Sequence, residues 1–166
     1  MKRNHNKKLL FSIFAIILVL CLVLYFVYFY IINSPSNQAE EAVEAFYTYE
    51  QDGAFSESWE MFHPLMKERF EKGHYLQDRV HVFFNHFDVN TFTFTIEDSE
   101  LIRNWQIEED AEPLEEVYRV PVSQYFEGKY GNFQIIQNVY VTNLDGEWKV
   151  LWDYKKSETS TESEEN

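Results

Sequence analysis

The chain has 166 residues and a formal net charge of −14 at pH 7. All 28 acidic residues and only ten of the 14 basic residues follow Ile32, so that part of the chain carries a net charge of −18. A surface this acidic repels a phosphate backbone, and we therefore expect no nucleic acid partner. The charge is typical of a solubility device, and attraction of cationic partners or divalent ions is the alternative.

An uncharged apolar stretch without proline or glycine runs from Leu9 to Ile32. A bilayer core about 30 Å thick needs about 20 helical residues, so the stretch predicts a transmembrane helix. Four basic residues and no acidic residue precede it. The positive-inside rule then predicts a cytoplasmic stub of residues 1–8 and an extracytoplasmic chain beyond the helix. The predicted location is the cell membrane, as a single-pass protein.

The apolar stretch resembles a signal peptide and a bacterial lipoprotein signal less closely than a membrane helix. A signal peptide has a shorter apolar core, of about 7–15 residues, and small residues before the cleavage site. Here the stretch ends in the bulky segment Tyr28–Ile32, and Ser34 and Ser36 form only a weak site. A bacterial lipoprotein needs a small residue before its cysteine, but Leu20 precedes Cys21. We interpret Cys21 as an apolar residue of the helix, with reversible acylation as the minor alternative.

The remaining chain is predicted to form one domain. A polar linker covers residues 33–36, the domain covers residues 37–156, and the acidic polar tail 157–166 is expected to be disordered. A domain of this length buries its own core. Because Cys21 is the only cysteine, no disulfide is available to the domain, which fits the outer face of a bacterium without strong disulfide machinery.

Helical periodicity opens the domain. Asn37 and Glu40 form a capping pair for a first helix, which Asp52-Gly53 ends. The apolar stripe of this helix is predicted to consist of Ala39, Ala42, Val43, Phe46 and Tyr49.

Shorter helices follow. One runs from about Ser56 to Phe62, and His63-Pro64 interrupts it. Pro64 begins another through Phe70, which Lys72-Gly73 closes. A longer helix is predicted from His74 to His86, and its apolar face is expected to hold Leu76, Val80, Phe83, Phe84 and Phe87.

The pattern then changes to that of strands. Phe92, Phe94 and Ile96 alternate with threonines, which predicts a strand. A continuation of this strand through a bulge to Trp105 is an option. Residues 106–113 are predicted to be a loop. A strand from Val117 to Phe126 contains Pro121, which indicates an edge strand or a bulge. Two further strands, 132–144 and 147–154, flank the hairpin turn Asp145-Gly146.

This order of helices followed by antiparallel strands predicts an α+β domain, with helices packed on one face of a curved antiparallel sheet. Two stretches carry a family resemblance. The first is Ala39–Tyr47, with Asp52-Gly53 and the helix containing Trp59, and the second is the closing hairpin Asp145–Asp153. Together they resemble the nuclear-transport-factor-2-like superfamily of cone-shaped α+β domains. The second stretch is similar to the membrane-proximal domain of resistance-type penicillin-binding proteins.

The resemblance covers about residues 37–154 and implies a fold and a pocket, but no particular reaction. It also implies that a homodimer can form through the open face of the sheet. The aromatic hairpin Trp148–Tyr154 is the candidate for such a face, or alternatively for the core.

Few residues suggest chemistry. His74, Asp78, His81 and Asn85 share one helix face, which indicates either a metal or acid–base stripe or, more simply, a solvated surface. The spacing contains no zinc signature, so no metal site is predicted. His86 is the best candidate for a pocket group. Tyr47, Tyr118 and Tyr140 are candidates to line the pocket with it, although core packing explains tyrosines equally well.

Two functional hypotheses follow. The first is a non-catalytic, membrane-anchored module of a bacterial cell envelope that binds a protein partner or a small ligand. The second is a small cone-fold enzyme or ligand receptor of the isomerase or dehydratase type, with His86 and the tyrosines in its pocket. Neither hypothesis requires a cofactor. An enzyme is expected to place a pKa-shifted acid or base in a pocket, and a binding module to present an aromatic or apolar surface.

Overall fold

The structure is a computed structural model that describes residues 3–81, 91–129 and 131–155. Five helices precede five strands in the described residues, as expected for an α+β domain with one additional N-terminal helix. The helices are α1 (Arg3–Ile32), α2 (Pro35–Gln51), α3 (Phe55–Glu60), α4 (Pro64–Arg69) and α5 (Lys72–Val80). The strands are β1 (Phe92–Ile96), β2 (Glu100–Trp105), β3 (Leu114–Gly128), β4 (Gly131–Leu144) and β5 (Glu147–Trp152).

Helix α1 is long and apolar enough to cross a membrane. Its segment Ile13–Ile32 has a mean hydropathy of 2.9, and none of it is buried against the rest of the chain. Length and composition alone support this statement, and a signal helix near an N-terminus has the same properties.

Helix α2 begins at Pro35, because the side chain of Ser34 accepts a hydrogen bond from the backbone N–H of Asn37 at 3.3 Å. Of the predicted linker, only residues 33 and 34 therefore lie between helices. The predicted helix end at Asp52-Gly53 is confirmed, since Asp52 is the C-cap and Gly53 has a φ of 72°.

The predicted apolar stripe of α2 is confirmed at four of its five positions, all of them buried. The prediction is wrong at the fifth position, because 39% of Tyr49 is exposed. Tyr47 and Glu50 are buried in its place. The buried face thus lies further around the helix than the apolar residues alone indicated.

His63 and Pro64 separate α3 from α4 as predicted. The Nδ1 atom of His63 accepts a hydrogen bond from the backbone N–H of Leu65 at 3.2 Å, so the histidine caps α4. Lys72 and Gly73 do not close α4, contrary to prediction, because they form the first turn of α5.

The predicted apolar face of α5 needs a further correction. Val80 is 45% exposed, whereas Tyr75 is only 4% exposed and faces the core. Phe83, Phe84, Phe87 and the predicted helix end at His86 lie outside the described residues.

The five strands form one antiparallel sheet in which β3 is central. Strand β4 pairs with one side of β3, and β1 and β2 pair in succession with the other. Strand β5 pairs with β4 and closes the order β1-β3-β4-β5. The predicted turn at Asp145-Gly146 is confirmed, with φ angles of 54° and 91° that suit a two-residue hairpin.

Pro121 lies in this central strand, so the prediction of an edge strand is wrong and the alternative of a bulge applies. The register gains one residue between the pairs Ile96–Val122 and Glu100–Arg119. The carbonyl oxygen of Pro121 accepts from the N–H of Glu97 at 3.0 Å, at this break. Because N–H and C=O groups of one strand residue point to the same side, the missing N–H of Pro121 also falls at the break.

The helices pack on one face of the curved sheet. Phe46 of α2 and Phe62, which follows α3, both contact the Trp152 ring edge-to-face, with centroid distances of 6.2 and 5.1 Å. Val150 and Leu151 are fully buried. The aromatic hairpin therefore belongs to the core, which was one of its two predicted roles.

Candidate functional site

A groove opens between the helices and the sheet at the end of the domain where α2 begins. It has a volume of about 530 Å³. Its walls come from the start of α2, the turn before α4, and the adjoining ends of β3, β4 and β5. We call it the helix–sheet groove, and the lining residues used below are Gln38, His63, Glu115, Glu116, Tyr118 and Trp148.

An aromatic pair forms the sheet side of the groove. Tyr118 and Trp148 meet edge-to-face with their ring centroids 5.5 Å apart. The Nε1 of Trp148 donates a hydrogen bond to Oε1 of Gln38 at 3.2 Å, which fixes the indole against α2. Burial, together with the nearby Glu116 carboxylate, raises the pKa of Tyr118, so its hydroxyl is a neutral donor.

His63 lies on the helix side of the groove and is only 7% exposed. Burial lowers its pKa, an effect that the Glu68 carboxylate opposes and the charge of Lys149 reinforces. The ring is therefore neutral at pH 7. Since Nδ1 accepts the capping hydrogen bond from Leu65, the proton of the neutral ring is assigned to Nε2.

Carboxylates give the groove its charge. Glu115 and Glu116 are exposed at its rim. Glu116 is paired with Arg103 at 3.2 Å, across the β2–β3 pair. With His63 neutral and Glu116 paired with Arg103, the lining combines aromatic faces with the carboxylate of Glu115, which forms no ion pair within the described residues. That combination favours a cation, which aromatic rings and carboxylates both attract.

The predicted tyrosines do not meet in one pocket. Tyr118 and Tyr140 face opposite sides of the sheet, because Tyr118 is paired with Val141 and side chains alternate along a strand. The Tyr140 ring stacks on Trp105 at 4.5 Å, and its hydroxyl donates to Asp153 at 3.4 Å. Burial raises its pKa, and the Asp153 carboxylate adds to the effect.

Tyr47 is deeper, at 1% exposure in the core. Its hydroxyl has no hydrogen-bond partner in the part of the chain that the structure describes. Burial raises its pKa, and the negative charge of Glu50 does so as well. His86, the fourth predicted site residue, lies outside the described residues.

A buried polar cluster was missed by the sequence analysis. Glu50 accepts hydrogen bonds from the hydroxyls of Ser58 and Tyr75, the second at 2.7 Å. It also pairs with Arg79, whose Nε lies 2.5 Å from its Oε2. The side chain of Glu50 is fully shielded from solvent. One signal was available: Glu50 follows Val43 and Phe46 by seven and four residues, on the core side of α2.

The charged groups of this cluster stabilise one another electrostatically. Burial opposes the charge of Arg79, but Glu50 and Tyr75 outweigh it and raise the pKa of the guanidinium above its usual value. Burial raises the pKa of Tyr75, which remains a neutral donor. The cluster is closed to solvent at Glu50, and we assign it a structural role.

The histidine stripe on α5 is solvated where it can be observed. His74, Asp78 and His81 are all exposed, and His74 lies 3.4 Å from the Glu71 carboxylate. No group of three or more metal-ligating side chains converges within the described residues.

The sequence matches no family model and no curated protein.

Proposed function

We propose that this chain is a single-pass membrane protein of a bacterial cell envelope whose domain acts outside the cytoplasm as a non-catalytic binding module. In this proposal α1 is the anchor, with its basic N-terminus in the cytoplasm, and the domain has the nuclear-transport-factor-2-like fold. The length and apolar character of Ile13–Ile32 and the preceding basic residues support the anchor.

The observation that carries the proposal is the composition and place of the helix–sheet groove. Its lining includes Pro35, only three residues after α1 ends. A partner that reaches the groove must therefore approach the membrane surface. The Tyr118–Trp148 pair and the rim carboxylates favour a Lys or Arg side chain of an envelope protein, since such side chains combine an apolar stem with a positive charge.

Site-specific photocrosslinking in cells tests this proposal. A photoreactive phenylalanine analogue replaces Tyr118 in the full-length protein, and a matched variant carries it at Tyr125, an exposed residue on the same strand. We expect adducts with one reproducible set of envelope proteins from position 118 and not from position 125. No adduct at position 118, or the same adducts at both positions, contradicts the proposal.

The charge requirement has its own control. Changing Glu115 and Glu116 together to glutamine is expected to reduce the adducts formed at position 118. The same change at Glu108 and Glu109, in the loop between β2 and β3, leaves them intact. Equal adduct yields in the two double variants would show that the groove does not select a cation.

A small enzyme or ligand receptor is the second candidate. Two observations favour it: His63 is a buried base of lowered pKa in the helix–sheet groove, and the buried hydroxyl of Tyr47 lacks a partner among the described residues and lies within electrostatic range of Glu50 and Arg79. A thermal-shift screen of small polar ligands separates the two candidates. A ligand that raises the melting temperature of the native protein but not that of Tyr47→Phe would favour the receptor.

A further inference from the structure

Strand β4 extends well beyond its partner β5. Residues Val139–Leu144 pair with β5, whereas Gly131–Asn138 pair only with β3. The N-terminal part of β4 is therefore an edge of the sheet, within the described part of the chain. We call residues 132–138 the β4 edge.

The direction of the backbone groups on the β4 edge follows from hydrogen bonds at β5. The N–H of Val150 donates to Met61 at 2.9 Å and its C=O accepts from His63 at 3.0 Å, so Val150 points away from β4. Its neighbour Leu151 therefore points toward its partner Tyr140. By alternation, Asn138, Ile136 and Gln134 direct their N–H and C=O groups to the same side as Tyr140, beyond the end of β5.

The other edges of the sheet are protected in the usual ways. Met61 and His63 cover the outer side of β5. The amide of Gln51 donates to the carbonyl of Phe92 on β1 at 2.6 Å. Strand β2 carries the charged residues Glu100 and Arg103. Charges and covering segments of this kind prevent unwanted strand pairing.

Among the residues that the structure describes, none covers the backbone groups of the β4 edge, and the edge carries no charge. No charged residue occurs between Gly131 and Leu144. Ile135 is 40% exposed and Ile136 is 72% exposed. An exposed, uncharged and apolar edge strand is a template for pairing with another strand.

We propose that the β4 edge pairs with the β4 edge of a second copy of this chain, antiparallel and about a two-fold axis at Ile136. This register places Ile136 opposite its counterpart and Gln134 opposite Asn138. The isoleucines then contact one another, and the amide side chains pair by hydrogen bonds. The three outward-facing residues of each chain exchange about six backbone hydrogen bonds.

Charge selects a second copy as the occupant. With a net charge of −18 after Ile32, most contacts between two copies bring carboxylates together. The β4 edge avoids this repulsion, because it carries no charged residue. In the register about Ile136, the two Ile136 side chains meet each other and the amides of Gln134 and Asn138 meet, so the outward-facing positions are matched in polarity.

Such a contact is small beside the roughly 1,200 Å² of a stable interface. Confinement of both copies to one membrane raises their effective concentration. The pairing depends in this respect on the proposed anchoring, but it does not involve the helix–sheet groove.

Disulfide crosslinking of the full-length protein in native membranes tests the pairing. Cys21→Ser removes the only cysteine, and Ile136→Cys is then compared with Asn138→Cys. In the proposed register the two Cα atoms at position 136 are about 5.5 Å apart, within disulfide range. Those at position 138 are about 14 Å apart, which is too far.

The expected result is a covalent dimer from Ile136→Cys on mild oxidation and none from Asn138→Cys. Coexpressed Gln134→Cys and Asn138→Cys chains are expected to crosslink to each other. Adding Ile136→Lys to both chains abolishes that crosslink, and adding Thr93→Lys, an equal charge change on exposed β1 surface, preserves it.

Three results overturn the proposal: no dimer from Ile136→Cys, equal dimer from positions 136 and 138, or an adduct of position 136 with a different protein in place of the dimer. The glutamine variants of Glu115 and Glu116 distinguish a failure of the proposed dimer from a failure of the proposed binding at the groove. They are expected to leave the dimer unchanged even where they remove binding at the groove.

Discussion

The carboxylate of Glu50 lies 2.5 Å from the Nε of Arg79 and is fully shielded from solvent. This pair joins α2 to α5 beneath the aromatic core, with the Tyr75 ring 5.7 Å from the guanidinium. Desolvation of two charges is costly, and an ion pair of this kind is sensitive above all to the loss of one partner.

We therefore predict that Glu50→Gln lowers the free energy of unfolding by about 3 kcal/mol, because Arg79, whose side chain is 21% exposed, keeps its charge without its partner. Arg79→Met is expected to cost a similar amount, and the double variant less than the sum of the two. Chemical denaturation of the fragment 33–166, which retains every residue of the core, measures all three. Glu60→Gln, at an exposed pair with Lys67 and Lys72, should unfold almost like the native domain.

Tyr75→Phe removes only the hydroxyl that donates to Glu50 at 2.7 Å. We predict a loss of about 1.5–3 kcal/mol, the range for a hydrogen bond to a charged group. Tyr125→Phe changes the same atom on a half-exposed tyrosine and is expected to have little effect. A loss of equal size in both variants, measured in the same denaturation experiment, would refute the role assigned to Tyr75.

His63 should make the stability of the domain depend on pH. Burial lowers the pKa of His63 in the folded protein below its ordinary value of 6.5. Between the folded-state pKa and the unfolded-state pKa of His63, the unfolded chain binds more protons than the folded protein. The contribution of His63 to the unfolding free energy is therefore complete above pH 6.5 and declines as the pH falls toward the folded-state pKa. One proton contributes at most about 1.4 kcal/mol per pH unit.

The variant His63→Asn isolates this effect, because asparagine can cap α4 but does not titrate. We expect a shallower decline of the unfolding free energy between pH 7 and pH 5 than in the native domain. His74→Asn, on the exposed face of α5, should leave the decline as it is. If His63→Asn also leaves it as it is, other groups govern the pH dependence.

Two glycines should respond in opposite ways to alanine. Gly146 has a φ of 91° in the β4–β5 turn, and a Cβ there would meet no atom within 4 Å. The cost of Gly146→Ala is thus conformational alone, about 1–2 kcal/mol. Gly73 lies in α5, where a Cβ would meet only the flexible Glu71 side chain at 3.6 Å. Gly73→Ala is expected to stabilise by about 0.5 kcal/mol, as thermal and chemical unfolding can verify.

Sequence patterns predicted the elements best where the local signal had one physical cause. The alternation of Phe92–Ile96 located β1, and Asp145-Gly146 located the hairpin, since few other residues adopt those backbone angles. Lys72-Gly73 misled the prediction because a glycine ends many helices, yet here both residues lie in the first turn of the helix that follows. Pro121 misled it because the partner strand is interrupted at the proline, a feature that no local pattern records.

The site was harder to predict than the fold. Tyr118 does line a groove, but its partners Gln38, His63 and Trp148 come from three other segments. Such contacts depend on the curvature of the sheet and on how α2 crosses it. The burial of Glu50 was not predicted, because its partner Arg79 is 29 residues away and no local pattern records the pairing.

The short connection between α1 and α2 limits the reach of the domain. The side chain of Asn37 donates a hydrogen bond to the carbonyl of Ile31 at 2.9 Å, and that of Gln38 donates to the carbonyl of Asn33 at 3.0 Å. These two hydrogen bonds connect the start of α2 to the end of α1. Under the proposed anchoring, the domain cannot swing outward to sample distant layers of the envelope. It reaches only partners close to the membrane surface. Any change in the tilt of α1 also changes the orientation of the domain.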